Sequence, residues 1–303
     1  MKGMRFLFAA LAKYDCIPGS LSPLGFTGII LVFVCLLHGV PTGVVAQTPP
    51  VVSTLAVQTS IVPVDSSRAP TPQTTVPEQV WRDPKTGIEF VHIPGGEFDM
   101  GSNTFANEKP VHRIRIAELW LAKTEVTQAQ WRVVMGSNPS KQHVCDECPV
   151  TQVSWEDVQK YLKKSAYRLP TEAEWEFAAG GGAEHQRWAG TSNEAELGEF
   201  AWYRGNSGNK PHPVGQKRSN LLGLFDMSGN VYEWCADWYD ADYYRDSPAE
   251  NPPGSTSGTR RVARGGSWIL DPRIDGVSFR LKSLPSRRRD YLGFRPVLPG
   301  GPR

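Results

Sequence analysis

All ten tryptophans of this 303-residue chain lie from Trp81 onward, and ten such side chains need a packed interior to hold them. The same stretch offers no long periodic run from which to build that interior. After about residue 182, Gly, Asn, Pro and Ser recur every few positions, broken only by short aromatic pieces such as "FAWY", "VYEWCADWY" and "GSWIL". No internal repeat or low-complexity run is present there. A large aromatic core must be ordered by something other than long elements.

Upstream of Trp81 the composition changes. From Leu24 to Val45 the chain is mostly apolar and uncharged, with Lys2, Arg5 and Lys13 before it. A basic segment, an apolar stretch and the small Ala46 predict a secretory signal over 1–46 cleaved before Gln47, with an uncleaved membrane anchor as the alternative. Either reading exports the rest of the chain, to the periplasm or the cell surface. Residues 47–84 are rich in Pro, Thr and Ser and cannot bury enough apolar surface to offset their ordering entropy, which predicts a disordered tether. Residues 85–299 are the globular body. The net charge of +2 supplies no strongly basic field, so nucleic acid is not an expected partner.

Within the body, "FVHIPGGEFDMGS" reads as a β-hairpin turned by Pro-Gly-Gly, and "VHRIRIAELWLAKTEVT" as a further strand or strand pair. Three short helices have readable starts at Thr127, Ser154 and Thr171. Asp157 and Glu174 sit three residues after the second and third as capping-box partners. Val158, Tyr161 and Leu162 form the apolar face of the second helix. Glu172, Glu174 and Glu176 in the third are expected to cap and to be solvated. "CDEC" at Cys145 and Cys148 is one arm of a zinc site, a redox pair or a short disulfide. An exported protein with no second ligand pair favours the disulfide, leaving Cys235 as a buried small hydrophobe.

"DMSGNVYEW" carries Asp226 and Glu233 around Gly229, a turn that can aim carbonyl oxygens inward. Hard oxygen donors of this kind suit Ca²⁺, while Asp226 capping a turn and Glu233 pairing with an arginine explain the same residues without a metal.

The ordered series "YRLPTEAEWEFAAGGG", "HPVGQ", "GLFDMSGNVYEW", "RVARGGSW" and "LGFRPV" resembles the formylglycine-generating enzyme family, also called the sulfatase-modifying factor family, over about residues 88 to 298. The resemblance implies an α+β fold related to C-type lectins, with short helices, small antiparallel sheets and little regular structure. It also implies structural calcium held by the side chains of Asp226 and Glu233 and the carbonyls of Gly229 and Val231. In that family two cysteines after Gly-Gly-Ser-aromatic hold copper and oxidise a substrate cysteine. Here the first falls at Leu270, and no cysteine occurs after Cys235, so copper and formylglycine formation are not expected.

What remains is a binding module for a protein or small-molecule ligand, because the matching segment forms the contact surface of variable ligand-displaying relatives. Trp268, Ile269, Leu270, Asp271, Arg273, Ile274, Arg287, Asp290 and Tyr291 are the candidate contacts, mixing aromatic, aliphatic and charged groups as contact surfaces do. Trp268, Phe279 and Phe294 also read as core anchors. The alternatives are a periplasmic modifying oxidoreductase, of siderophore-maturation or sulfatase-modifying type, using Asp271 or Glu233, and an accessory protein of an envelope complex.

Overall fold

Residues 89–122 show how this chain does without long elements. The computed structural model, which describes residues 79–271 and 276–302, forms β1 (Val80–Arg82), β2 (Glu89–Ile93), β3 (Gly96–Met100), β4 (His112–Ile116) and β5 (Leu119–Ala122) in its first part. The expected hairpin across Pro94-Gly95-Gly96 is not formed. β2 pairs antiparallel with β5, from Phe90 opposite Ala122 to Ile93 opposite Leu119. β3 pairs instead with β4, from Gly96 opposite Ile116 to Met100 opposite His112. Residues 89–100 are thus one strand path bent at Pro94-Gly95, facing a second path bent at Ala117-Glu118. Proline has no N–H for a ladder, and Gly95 lies so close to the Ile116 carbonyl and the Glu118 amide that no side chain fits there. The Pro-Gly pair bends a ribbon between two sheets.

The first sheet runs β1-β2-β5-β10, with β10 (Val297–Leu298) at its far edge; because β1 pairs with β2 from Val80 opposite Val91 to Arg82 opposite Glu89, the ordered body includes the end of the 47–84 segment expected as a tether. The third runs β8-β7-β6-β9, with β6 (Tyr232–Trp238), β7 (Arg261–Arg264), β8 (Leu281–Ser283) and β9 (Leu292–Gly293). Its pairs are antiparallel except β6 with β9, which is parallel. Three α-helices of eight or more residues come after β5 among the described residues: α1 (Gln128–Met135), α2 (Trp155–Ser165) and α3 (Glu172–Ala179). Each opens with a capping box, Thr127 with Gln130, Ser154 with Asp157 and Thr171 with Glu174, which satisfies N–H groups that no helical carbonyl can reach. α2 buries Val158, Tyr161 and Leu162 as its periodicity predicts. Two aromatic cores result, one around Trp131, Tyr161, Trp234 and Phe294, the other around Phe98, Trp175 and Phe177.

The carboxylates of α3 depart from expectation. Glu174 caps, accepting the Thr171 N–H at 2.8 Å and pairing with Arg168. Glu172 and Glu176 are not solvated; both are buried. Arg280 grips Glu172 with two hydrogen bonds, at 2.7 and 2.8 Å, and Arg264 pairs with Glu176. Glu176 Oε1 also accepts the Gly101 N–H at 2.8 Å and the Ser278 hydroxyl at 2.9 Å. Burial alone raises a carboxyl, but Arg264 and His185 outweigh it and bring Glu176 down to about 2. The signal for this was spacing: Glu172 and Glu176 are four residues apart and share a helix face.

Cys145 and Cys148 are joined by a disulfide, with their Cα atoms 5.2 Å apart. The loop they close serves the start of α1. The Cys148 carbonyl accepts the Gln128 N–H at 2.9 Å, and the Asp146 carbonyl accepts that of Ala129 at 3.0 Å. Cys235 is free and buried.

Replacing Arg264 with alanine strands a buried carboxylate and is expected to cost about 3–5 kcal/mol in urea unfolding. Because the folded-state value of Glu176 is depressed, its contribution is full above its ordinary 4.5 and disappears as pH falls toward about 2; Glu176→Gln should flatten that part of the stability–pH curve. Replacing both Cys145 and Cys148 with serine should lower unfolding free energy by about 2 kcal/mol, the chain-entropy value for so short a loop.

Candidate functional site

The segment from Asp226 to Glu233 is held by backbone conformations that few side chains tolerate. Asp226 and Asn230 take φ values of 58° and 53°, and Gly229 takes 88°. A Cβ on Gly229 would collide with the Trp202 carbonyl, so glycine is required there. Asn230 fixes the neighbouring loop, accepting the His212 N–H at 2.9 Å while its own N–H donates to the Trp202 carbonyl at 2.8 Å. Val231 is fully buried in the first core.

The two acids of this segment have different surroundings. Glu233 is engaged on both oxygens: Arg295 donates at 2.7 and 2.8 Å, and the Trp175 indole N–H donates at 2.8 Å. That guanidinium lies against the carboxylate and would repel a second cation there. The implied ligand set of Asp226, Gly229, Val231 and Glu233 therefore does not fit as a whole. Asp226 accepts the Gly215 N–H at 2.7 Å on one oxygen. Its other oxygen is buried without a partner, and so are both oxygens of Glu125. Burial, then the charges of Asp226 and Glu233, push the Glu125 carboxyl well above its usual range. Burial raises Asp226 to about 6 despite the Gly215 N–H and Arg295. Sequence reading missed Glu125, which lies in the unremarkable "KTEVT" far from the motif. Among the described residues, no three His, Cys, Asp or Glu side chains group as a metal cluster.

The candidate contact loop divides into anchors and presented groups. Trp268 is buried: its N–H donates to the Asn230 carbonyl at 2.8 Å, its carbonyl accepts the Ser207 hydroxyl at 2.8 Å, and its indole donates to the Asp290 carbonyl at 3.3 Å. Tyr291 is buried as well, edge-on to Tyr232. These two hold the loop in place and are not free contacts. Ile269, Leu270, Asp271, Arg287 and Asp290 are half-buried and reach the surface. Arg273 and Ile274 lie outside the described residues. Phe294 is a core anchor, whereas Phe279 is half-exposed and stacks edge-on against Phe105. Of the alternative acids, Glu233 is locked by Arg295, and Asp271 has a partner of its own.

Beside the end of this loop a cavity of about 280 Å³ opens between Ser102, Glu108, His185, Arg187, Ser278 and Phe279. Burial raises the Glu108 carboxyl, although the Ser102 hydroxyl donates to it.

Residues 76–299 match the sulfatase-modifying factor enzyme 1-like domain. The chain is 29% identical over 303 aligned positions to a formylglycine-generating enzyme of Streptomyces coelicolor, an alignment that covers 75% of this chain and 94% of that protein. In structure it is similar to Treponema denticola variable protein 1, with 32% identity, a TM-score of 0.67 and coverage of 74% of this chain and 99% of the other. It is also similar to PvdO of Pseudomonas aeruginosa, with 26% identity, a TM-score of 0.65 and coverage of 72% and 97%. With its bent ribbon, short capped helices and small sheets, the chain belongs to the sulfatase-modifying factor, or formylglycine-generating-enzyme-like, family.

Proposed function

We propose that this protein is an exported member of the family that has given up copper chemistry and binds a protein or small-molecule ligand through residues 269–271 and their neighbours Arg287 and Asp290. One observation carries the reading: no cysteine occurs after Cys235, whereas the resemblance places the family's first copper-binding cysteine at Leu270. Soft thiolates are what hold Cu(I), and the single free thiol among the described residues, Cys235, is fully buried in the core, where burial raises it well above its usual value. Export is supported by the apolar segment at 24–45 and by the disulfide. A binding role is supported by the half-exposed aliphatic and charged side chains set on a framework fixed at Trp268 and Tyr291. The likeness to a protein named as variable supports a scaffold on which such groups can be exchanged.

Two measurements test this. Incubated with copper, O₂ and a cysteine-containing sulfatase-type peptide, the protein should yield no formylglycine by mass spectrometry; conversion would overturn the proposal. Replacing Ile269, Leu270 and Asp271 together with serine should change unfolding free energy by less than about 1.5 kcal/mol, whereas Trp268→Ala should cost about 3–5 kcal/mol. A triple variant as damaged as the tryptophan variant would make the segment core and end its reading as a contact surface.

A further inference from the structure

The cavity of about 280 Å³ between Ser102, Glu108, His185, Ser278 and Phe279 has an inner wall joined by hydrogen bonds. Glu176, fully buried behind it, accepts the Gly101 N–H at 2.8 Å, the Ser278 hydroxyl at 2.9 Å and His185 Nε2 at 2.9 Å. Ser102, next in the chain after Gly101, donates its hydroxyl to the Glu108 carboxyl and its N–H to the Glu108 carbonyl at 3.1 Å. Arg264 holds Glu176 as a carboxylate, so the proton of a neutral His185 ring sits on Nε2 and Nδ1 keeps its lone pair. The two serine hydroxyls have their protons committed to carboxylates, and toward a ligand they can only accept. Glu108 is 2% exposed, and among the described residues no cationic side chain lies within ion-pair distance of it. Arg264, whose charge acts on Glu108, is itself bonded to Glu176 and to the Phe279 carbonyl at 2.6 Å. The inner wall thus presents acceptors, one of them a buried carboxyl with no counter-charge of its own. Thr104, Arg187 and Ser192, which can donate, line the same cavity but are exposed.

We propose that this cavity binds the primary ammonium group of a small ligand, the nitrogen donating to Glu108 and His185 and an aliphatic stem lying against Phe279. An ammonium carries three donors and no acceptor, the complement of a wall made of acceptors. It also brings the charge that Glu108 lacks, and hydrogen bonds between charged groups are the stronger ones. An anion would meet the Glu108 carboxylate instead. The volume selects an organic cation over a bare ion: at about 30 Å³ per water, there is room for several heavy atoms. Phe279, braced edge-on by Phe105 with ring centroids 5.6 Å apart, and Val277 beside it give the stem an apolar side. Arg187 lies 4.3 Å over the Trp188 ring, and its exposed charge is screened by solvent. The site does not depend on the reading of residues 269–271, Arg287 and Asp290 as a contact surface, since none of them lines it.

The test titrates the full chain with n-propylammonium and follows binding by saturation-transfer NMR. Saturable binding in the millimolar range is expected for a ligand of so few atoms. Tetramethylammonium, a cation without N–H donors, and n-propanol, which has the same stem without the charge, should each bind at least about tenfold more weakly. Glu108→Gln should weaken propylammonium binding by at least about tenfold, and His185→Phe, which keeps a ring against Phe98, should weaken it severalfold. Thr104 bonds Ser102 through its backbone N–H, so Thr104→Trp fills the cavity from an exposed position and should abolish binding. The triple serine variant of residues 269–271 should bind propylammonium as the wild type does, which separates this site from the loop. Absence of saturable binding to the wild type would overturn the proposal. Equal affinity for tetramethylammonium or propanol, or unchanged affinity in a folded Glu108→Gln, would also overturn it. Where Glu108→Gln or His185→Phe fails to fold, Thr104→Trp and the three wild-type titrations decide.

Discussion

Three buried arginine–carboxylate pairs hold together a body whose regular elements are too short to do so. Arg264 of β7 reaches Glu176, Arg280 at the edge of β8 reaches Glu172, and Arg295 beyond β9 reaches Glu233. A buried ion pair is weak in itself, because desolvation offsets its attraction unless the remaining donors are also satisfied. Here they largely are. Arg295 donates to the carbonyls of Ala122, Lys123 and Phe225, and Arg280 to those of Asn107 and Asp240. Irregular chain leaves carbonyls without a ladder partner, and a guanidinium carries five donors with which to collect them. The arginines are thus the physical answer to a core with many tryptophans and few long strands. Arg261 extends the pattern, lying 3.8 Å from Trp155 and 3.5 Å from Trp238 while donating to the Ala236 carbonyl at 2.6 Å.

The parts of this arrangement that were legible are those whose cause is local. A capping box lies within four residues, so Thr127, Ser154 and Thr171 announce their helices. The buried face of α2 comes from its own spacing. Strand pairing is different. "FVHIPGGEFDM" contains both a good turn and two good strands, and nothing within it says that each strand has a better partner further along the chain. Glu172 and Glu176 failed for the same reason: their arginines lie 108 and 88 residues downstream, and a glutamate near the start of a helix is usually exposed.

The acids around the Asp226–Glu233 motif divide in the same way. The sharp backbone at Gly229 could be read from its glycine, but the competition for Glu233 could not. That competition depends on Arg295 arriving from the C-terminal end beside Ala122 and Phe225. The arginine takes Glu233, and Glu125 and Asp226 are left buried with three of their four oxygens without a hydrogen-bond partner.

At position 270 the backbone is held independently of the side chain, although the Leu270 side chain itself packs partly against the first core. The Leu270 N–H donates to the Ser267 carbonyl at 3.1 Å, and its carbonyl accepts the Arg204 N–H at 3.0 Å. Both of its backbone groups are therefore satisfied whatever side chain it bears. Two residues earlier the situation reverses, since Trp268 is fixed through its N–H, its carbonyl and its indole. Anchoring through side chain and backbone together thus ends at Trp268, and residue 270 is tied through its backbone groups. An exchange of side chains after Gly-Gly-Ser-Trp therefore leaves the backbone hydrogen bonds of the framework in place.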